Sequence, residues 1–382
     1  MSATLRHAAG SLMVVGLEGA ELTGLERAWL KLVRPAGVIL FRRNLLDAAQ
    51  TRALLDEAAE MCAPHAFRCV DVEGGTVDRL RDALAPMPSA QAVTAAMRQV
   101  SKPAFARRQG ELIARGVRAF GFNTTLAPVL DLALPDSAVV MGTRSVAAEA
   151  DGVVVYAREF LRGLAAHGVA GCGKHFPGLG GGKRDSHVET PAIARGWREL
   201  WREDLEPYRA LRDELPMVMV NHAAYPATRG GKRPASASAY WIAAVLRRRI
   251  GYRGIIFSDD LEMGGMLKFL SIEEAVVEAI RAGMETVEIC HSAELILRAY
   301  ESLVSEAEGS AAFRTLLLKR ARDVARKRAR LFGGGLGRAL TAKQFARLRT
   351  EILRFRDDVT KTGEGGRANA PAPRRETLVE TA

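Results

Sequence analysis

Two neighbouring carboxylates are the first feature of the sequence suited to chemistry. Ser258-Asp259-Asp260 directly follows the apolar run GIIF. Neighbouring side chains on an extended segment point in opposite directions, so one carboxylate can face the interior of a fold while the other supports it or begins the next helix. A helix-capping aspartate beside a solvated neighbour would explain the same residues. Local evidence leaves both interpretations open.

A glycine-rich segment that ends in a histidine is the second such feature. Residues 178–187 contain four glycines, which disfavours a regular element and favours a mobile loop. The segment ends in Asp185-Ser186-His187, where the carboxylate could hydrogen-bond the imidazole, fix its tautomer and raise its pKa. A loop of this kind could carry a general acid. A surface hydrogen bond between Asp185 and His187 is the simpler alternative.

The same residues could in principle cradle a phosphate or bind a metal. No Gly-Lys-Ser/Thr ending follows the glycines, as a phosphate-binding loop would require. His175, His187 and Asp185 match no standard ligand spacing for a structural metal site. We therefore expect neither a metal nor a cofactor.

Other polar residues follow five successive apolar runs. Single cases would mean little, because Asp and Asn often cap the next helix. Five together favour a shared polar pocket, since barrel enzymes build their chemistry at the carboxyl ends of their strands. The residues are Asp71, Glu73 and Arg79 after the third run, Asp131 and Arg144 after the fourth, Lys174 and His175 after the fifth, Asn221 and His222 after the sixth, and Asp259 and Asp260 after the seventh.

The elements that must position these side chains alternate between strand and helix. Such alternation predicts βαβ units with a parallel sheet, and eight strands predict a closed (β/α)₈ barrel of the TIM type. An open dinucleotide-binding sheet is not expected, because GLEG after the first run lacks the GxGxxG form. The predicted strands are 12–15, 38–41, 68–70, 123–127, 170–174, 217–221, 255–258 and 286–289. The predicted helices include 48–62, 104–120, 152–167, 197–212, 240–250 and 272–282, with Asp47 and Ser271 as caps.

The chain divides by composition into three parts. Residues 1–335 form the predicted catalytic barrel, in a size range usual for one such domain. Residues 336–358 form a helical extension, with a basic amphipathic helix over 341–356. Residues 359–382 are rich in Gly, Pro, Ala and charge, which is typical of a disordered tail.

Charge and cysteine content limit the compartment and the partners. The net charge of +11 comes from dispersed basic residues and no nucleic-acid module is recognisable, so we expect no nucleic-acid partner. No apolar run is long enough to span a bilayer. The N-terminus is interpreted as a first strand rather than an export signal, with a trimmed signal or another export route as alternatives. Four scattered cysteines, Cys62, Cys69, Cys172 and Cys290, predict buried free thiols and a cytoplasmic location.

Five motifs in consistent order resemble glycoside hydrolase family 3. They are VDVEGGTVDRL, GTRS, GKHFPG with a downstream DSH and TP, NHAAYPA with PAS, and GIIFSDDLEM, spread over about residues 10 to 330. Within the family the chain is most similar to the β-N-acetylhexosaminidases of the NagZ type. KHFPG with a downstream DSH is highly specific, whereas SDD alone would be a weak signal.

The resemblance implies a role for each matching position. Asp259 corresponds to the nucleophile, and Asp185 with His187 corresponds to the acid/base dyad. Met263 and Asn221 are further candidates for lining the pocket. The positions that correspond to sugar-binding residues are Asp71, Arg79, Arg144, Lys174 and His175.

The implied reaction is exo-hydrolysis of a terminal β-linked N-acetylglucosamine with retention, on a peptidoglycan (muropeptide) fragment. Asp259 would form a covalent glycosyl ester while His187 protonates the departing oxygen, in place of the usual second carboxylate. Family members with a glutamate acid/base generally carry it in a second domain, for which this chain has no residues. The expected partner is therefore a carbohydrate, and a monomer is favoured.

The loop departs from the family pattern, and this leaves alternatives open. Leu179 replaces a histidine of the common KHFPGHG, and Lys183 with Arg184 add charge to the loop. A phosphorylase is a second candidate, because a histidine acid/base would not repel phosphate. A β-glucosidase and an inactive sugar-binding protein are the others, although an inactive protein should have lost Asp259 or the dyad.

Overall fold

Eight short apolar runs form parallel strands because each is buried on both faces, against the barrel interior and against the surrounding helices. The computed structural model describes residues 3–182 and 190–364. The strands are β1 Met13–Gly16, β2 Gly37–Leu40, β3 Phe67–Val70, β4 Val72–Gly74, β5 Val77–Asp78, β6 Thr124–Thr125, β7 Ala170–Phe176, β8 Met217–Val220, β9 Ile255–Asp260 and β10 Thr286–Ile289.

The strands close in the order β1-β2-β3-β6-β7-β8-β9-β10, and β10 pairs with β1 in parallel. Strands β4 and β5 form a separate antiparallel hairpin after β3. The predicted (β/α)₈ barrel is confirmed, with a strand at each of the eight predicted places. Strand β6 is shorter than predicted, since Pro128 lacks the amide hydrogen that would continue the ladder. Strand β9 instead continues to Asp260.

The helices enclose the barrel, and the predicted caps are confirmed. Asp47 accepts hydrogen bonds from two backbone N–H groups of the helix it begins, and Ser271 forms a capping box with Glu274. The helices are α1 Ala3–Gly10, α2 Gly24–Val33, α3 Ala48–Met61, α4 Ala90–Val100, α5 Ala104–Ala119, α6 Ala138–Met141, α7 Ala150–Ala165, α8 Trp197–Arg202, α9 Glu206–Ala210, α10 Gly264–Leu267, α11 Ile272–Ala282, α12 Ala293–Gly309, α13 Ala311–Phe332 and α14 Ala342–Glu364, with a π-helix over Tyr240–Arg249.

One predicted helix is wrong in its extent. The segment 197–212 was expected to be continuous, and the structure has two short helices, α8 and α9. Pro207 lies in the first turn of α9, where its missing N–H costs no hydrogen bond. In the interior of one long helix the same proline would remove a bond and clash with the preceding turn.

Side chains of each barrel strand alternate between two hydrophobic layers. In β8, Met217 and Met219 pack in the barrel interior, whereas Val218 and Val220 pack against the helices. All four cysteines are buried and free, as predicted. Among the helices described, none is long and apolar enough to span a membrane.

The C-terminal helix α14 is longer than the predicted 341–356 and reaches Glu364. It packs against α4 and α5 through the buried side chains Leu348, Ile352 and Val359, and the Phe355 ring lies 6.1 Å from that of Phe105. Residues 365–382 lie outside the described residues. The division into barrel, extension and tail stays a prediction.

Helix α13 is joined to the barrel by a buried carboxylate. Glu285, next to β10, accepts from Lys327 Nζ at 2.7 and 2.8 Å and from Arg247 Nη2 at 2.6 Å. It also accepts from the backbone N–H of Ile256 at 3.1 Å. This one group therefore connects three elements of the fold.

We predict that Glu285→Ala lowers the free energy of unfolding by about 3 kcal/mol, because two cations then lose their buried partner. Urea denaturation followed by circular dichroism measures the change. Exposed Glu308 provides a matched control, and Glu308→Ala should change stability by no more than about 0.5 kcal/mol. Equal midpoints for the two variants would contradict this role of Glu285.

Candidate active site

Strand alternation aims a set of charged side chains into the barrel. In β9, Ile255 and Phe257 pack in the interior layer, and Asp259 continues the same face. In β7, Ala170 and Cys172 are interior, and Lys174 follows them. Charged residues therefore replace apolar ones at the carboxyl ends of these strands, where a barrel enzyme has its active site.

These side chains surround a cavity of about 250 Å³. Six of the eight predicted site residues line it: Asp71, Arg79, Arg144, Lys174, His175 and Asp259. The other two, Asp185 and His187, lie outside the described residues, as do Lys183 and Arg184. Met263 and Leu179 also line the cavity.

A buried network of charges forms one wall of the cavity. Lys174 Nζ lies 2.7 Å from Asp71 Oδ1 and 2.7 Å from Glu73 Oε1. Arg144 contacts both oxygens of Glu73, through Nε and Nη2, each at 2.9 Å. Glu73 and the Lys174 side chain are only 3% and 4% exposed, so these charges are held almost entirely away from water.

The network keeps its members charged. Burial alone would raise the pKa of Glu73, but Arg144 and Lys174 outweigh it and hold that pKa well below its usual value. Burial alone would lower the pKa of Lys174, but the Asp71 and Glu73 carboxylates raise it. Lys174 is therefore a fixed hydrogen-bond donor at neutral pH, not a base.

His175 is oriented by a second buried carboxylate. Its Nδ1 lies 2.6 Å from Asp131 Oδ2, and the same oxygen accepts from the His175 backbone N–H at 3.1 Å. The other oxygen of Asp131 accepts from Leu179 N–H at 2.7 Å. Asp131 thus fixes both the imidazole and the start of the glycine-rich loop.

The expectation that Asn221 lines the pocket is wrong, because this fully buried side chain supports the wall from behind. Its Nδ2 donates to the His175 carbonyl at 2.9 Å and to the Tyr225 hydroxyl at 3.0 Å. The Tyr225 hydroxyl donates in turn to the carbonyl of Gly178 at 2.7 Å. The peptide bonds before His175 and before Pro177 are both cis.

Both of the paired aspartates line the cavity, although strand alternation predicts that only one would face it, and their hydrogen-bond partners differ. Asp259 faces the cavity, and its Oδ1 accepts from the Asp260 N–H at 3.0 Å. Asp260 accepts from Glu262 N–H at 3.0 Å, and its carbonyl lies 2.8 Å from His222 Nε2. Burial raises the pKa of Asp260 to about 8, and the Glu262 carboxylate adds to the shift.

Glu288 is a cavity residue that the motifs did not reveal. It lies on the interior face of β10, is 2% exposed, and its Oε1 has no hydrogen-bond partner among the described residues. Burial raises its pKa well above the usual value, and the charges of Asp71, Asp259 and Asp260 add to the effect. A glutamate inside the apolar run TVEI was the available signal.

One group of side chains has the composition of a metal site. Ligand atoms of Asp260, Glu262 and His291 lie within 4.8 Å of one another. However, Glu262 already accepts backbone N–H bonds from Cys290, His291 and Ser292, at 2.8, 2.5 and 2.8 Å. Glu262 therefore holds the loop after β10 in place through these three backbone hydrogen bonds.

The pKa shift of Glu288 leads to a prediction for stability. A raised pKa favours the folded state at low pH, and this contribution is lost as the pH rises through the folded value. Glu288→Gln, which stays neutral, should therefore lose less stability than wild type as the pH rises from about 4, the ordinary glutamate value, into the alkaline range. Melting temperatures across that range test this, with exposed Glu308→Gln as the control. Parallel profiles for wild type and Glu288→Gln would show that Glu288 does not titrate as expected.

The comparison with protein families agrees with this geometry. The model of the glycosyl hydrolase family 3 N-terminal domain matches residues 4–318. The match covers the barrel and the whole cavity described above.

Individual proteins that are similar in sequence to this chain indicate the same family. A β-hexosaminidase of Pseudomonas aeruginosa is 36% identical over 297 residues, which is 77% of this chain and 87% of that protein. A β-hexosaminidase of Pasteurella multocida is 33% identical over 308 residues, which is 80% of this chain and 87% of that protein.

Two solved structures share the fold. The family 3 β-N-acetylglucosaminidase of Paenibacillus sp. FPU-7 superposes with a TM-score of 0.81 and 30% identity, over 93% of this chain and 69% of that one. Native NagZ of Neisseria gonorrhoeae gives 0.74 and 27%, over 92% of this chain and 98% of that one. The chain therefore belongs to glycosyl hydrolase family 3, among its β-N-acetylhexosaminidases of the NagZ type.

Proposed function

We propose that the chain is a retaining exo-β-N-acetylglucosaminidase that uses Asp259 as its nucleophile. The observation that carries this proposal is the cavity, which brings Asp259 together with five side chains predicted to bind the sugar. Those side chains come from distant parts of the sequence and meet only because the barrel closes.

The size and polarity of the cavity fit one terminal sugar. Its volume of about 250 Å³ lies below the roughly 300–1,000 Å³ typical of drug-sized pockets. Lys174 and Arg144 supply donors to ring hydroxyls, and Asp71 supplies an acceptor. Because Asp71 and Glu73 satisfy the charge of these cations, they can bind hydroxyls without forming an ion pair with the nucleophile.

In the proposed mechanism the attacking group is Asp259, whose side chain lines the cavity. The carboxylate would form a bond to the anomeric carbon as the bond to the leaving oxygen breaks. Water would then attack the same carbon and release Asp259, and two inversions give net retention. Positive charge develops on the sugar in each transition state, and the carboxylates at the cavity, including Asp71, would stabilise it.

We assign the proton transfers to His187, with Asp185 as its partner. His187 would donate a proton to the departing oxygen and take one back from the attacking water. Described residues before and after the segment 183–189 lie at or near the cavity. Leu179 lines the cavity, and the Thr190 hydroxyl donates to the Gly265 carbonyl at 2.6 Å, two residues after the cavity residue Met263.

The proposed substrate is a peptidoglycan fragment with N-acetylglucosamine at its non-reducing end, cleaved in the cytoplasm. The similarity to β-hexosaminidases and NagZ supports the sugar. The four buried free cysteines are consistent with a reducing compartment. Release of N-acetylglucosamine from a purified muropeptide would test the substrate directly.

We predict that Asp259→Ala lowers kcat/KM on a chromogenic β-N-acetylglucosaminide by at least about 10⁴-fold, as for loss of a catalytic nucleophile. His187→Ala should lose about 10²–10⁴-fold, as for loss of a general acid/base. Initial rates measure both losses, and circular dichroism checks that each variant is folded.

Exposed Asp213, remote from the cavity, provides the matched control, and Asp213→Ala should keep wild-type activity. Full activity in Asp259→Ala would refute the nucleophile, and full activity in His187→Ala would refute the acid/base. The products should be the same with and without added phosphate. A glycosyl phosphate among them would identify a phosphorylase instead.

A further inference from the structure

A second cleft lies at the opposite end of the barrel from the active site. It has a volume of about 1,090 Å³ and is bounded by α5, the turn after α7, the connection before α14, and α14 itself. His167 of this cleft precedes β7, and Lys174 of the active site lies near the other end of the same strand. At about 3.3 Å per residue the two sites are roughly 20 Å apart.

The cleft is strongly basic. Its charged lining consists of six arginines, one histidine and a single carboxylate. The arginines are Arg108, Arg115 and Arg118 of α5, Arg338 of the connection, and Arg347 and Arg354 of α14.

The single carboxylate, Glu351, is shared by three of these arginines. It accepts from Arg115 at 2.7 Å, from Arg108 at 2.8 Å and from Arg347 at 3.2 Å. Arg108 has one further carboxylate partner, Glu111 at 3.2 Å. One negative charge cannot neutralise this many cations, so the cleft keeps a net positive charge.

Three arginines of the cleft have no carboxylate within ion-pair distance in the part of the chain that the structure describes. They are Arg118, Arg338 and Arg354. Arg118 is half-buried and donates to the carbonyl of Gly335 at 3.2 Å, which holds its guanidinium against the connection before α14. Arg338 and Arg354 are exposed, and their guanidinium groups remain available to a ligand.

The pKa shifts of two cleft residues indicate that positive charges lie close together in the cleft. Burial lowers the pKa of His167, and the nearby Arg115 charge lowers it further. Burial also lowers the pKa of Arg118, with Arg52 adding like-charge repulsion. A bound anion would relieve this repulsion.

We propose that this cleft binds a small soluble anion that carries several phosphate groups. Guanidinium groups match phosphate oxygens in bidentate geometry, and Arg118, Arg338 and Arg354 come from three different elements that line the cleft. A chain of linked phosphates could contact all three at once. The site is separate from the proposed catalytic pocket and serves recognition, not hydrolysis.

The shape of the cleft favours a small ligand over a macromolecule. Its volume of about 1,090 Å³ lies just above the roughly 300–1,000 Å³ typical of small-molecule pockets. It is a concave space between α14 and α5, whereas a duplex or a membrane would need an extended basic face. The lone carboxylate Glu351 is already used to hold three arginines together, so it would not repel the ligand strongly.

Isothermal titration calorimetry with inorganic tripolyphosphate tests the proposal on the full chain at low ionic strength. Wild type should bind saturably, and the affinity should fall as salt is added. The double variant Arg338→Ala, Arg354→Ala should bind about tenfold more weakly or worse, because charge-assisted hydrogen bonds are lost. Both positions are exposed, so the double variant should keep the wild-type melting temperature.

Arg248→Ala is the matched control, because Arg248 is an exposed arginine outside the cleft. It should bind tripolyphosphate as wild type does, and so should Asp259→Ala, which separates this test from that of the catalytic proposal. Absence of saturable binding to wild type would overturn the proposal, and so would equal loss in Arg248→Ala. Binding of a DNA oligonucleotide or an anionic vesicle, but not of tripolyphosphate, would overturn it in favour of a macromolecular partner.

Discussion

The buried carboxylate of Glu73, shared between Lys174 and Arg144, is the interaction on which the active site depends. Two cations at the mouth of an apolar barrel would be costly without a fixed partner. Glu73 does not line the cavity, yet it holds both cations that do. The wall of the pocket is therefore rigid before any substrate arrives, as a site that recognises hydroxyl groups by position requires.

Barrel closure and the alternation of side chains along each strand bring these charged residues together around one pocket. Lys174, Asp259 and Glu288 occupy interior positions on β7, β9 and β10, and the first two each lie two residues beyond the last apolar interior residue of their strand. The elements behind them are fixed by polar contacts, such as Asp131 to His175 and Asn221 to the His175 carbonyl. The cavity side chains thus sit on strand ends, while the proposed acid/base, His187, follows β7 in the sequence.

The sequence predicted the barrel, its eight strands and six cavity residues, because short apolar runs and the polar residues that follow them are local signals. It could not predict contacts between distant segments. Nothing near Asn221 indicates that its amide supports His175, and nothing near Arg115 indicates that it shares Glu351 with α14. Glu288 was missed for a different reason. A carboxyl group within a strand can be assigned to a cavity only once the interior face of that strand is known. The roles of Asp185 and His187 rest on the resemblance.

Trapping of the glycosyl-enzyme intermediate tests the central claim most directly. A 5-fluoro-N-acetylglucosaminyl donor with a good leaving group should slow turnover of the ester enough for intact mass analysis and peptide mapping. The account predicts one added sugar, attached to Asp259 and absent in Asp259→Ala. A label on Asp260 or Glu288 would contradict it, as would release of the α-anomer as the first product.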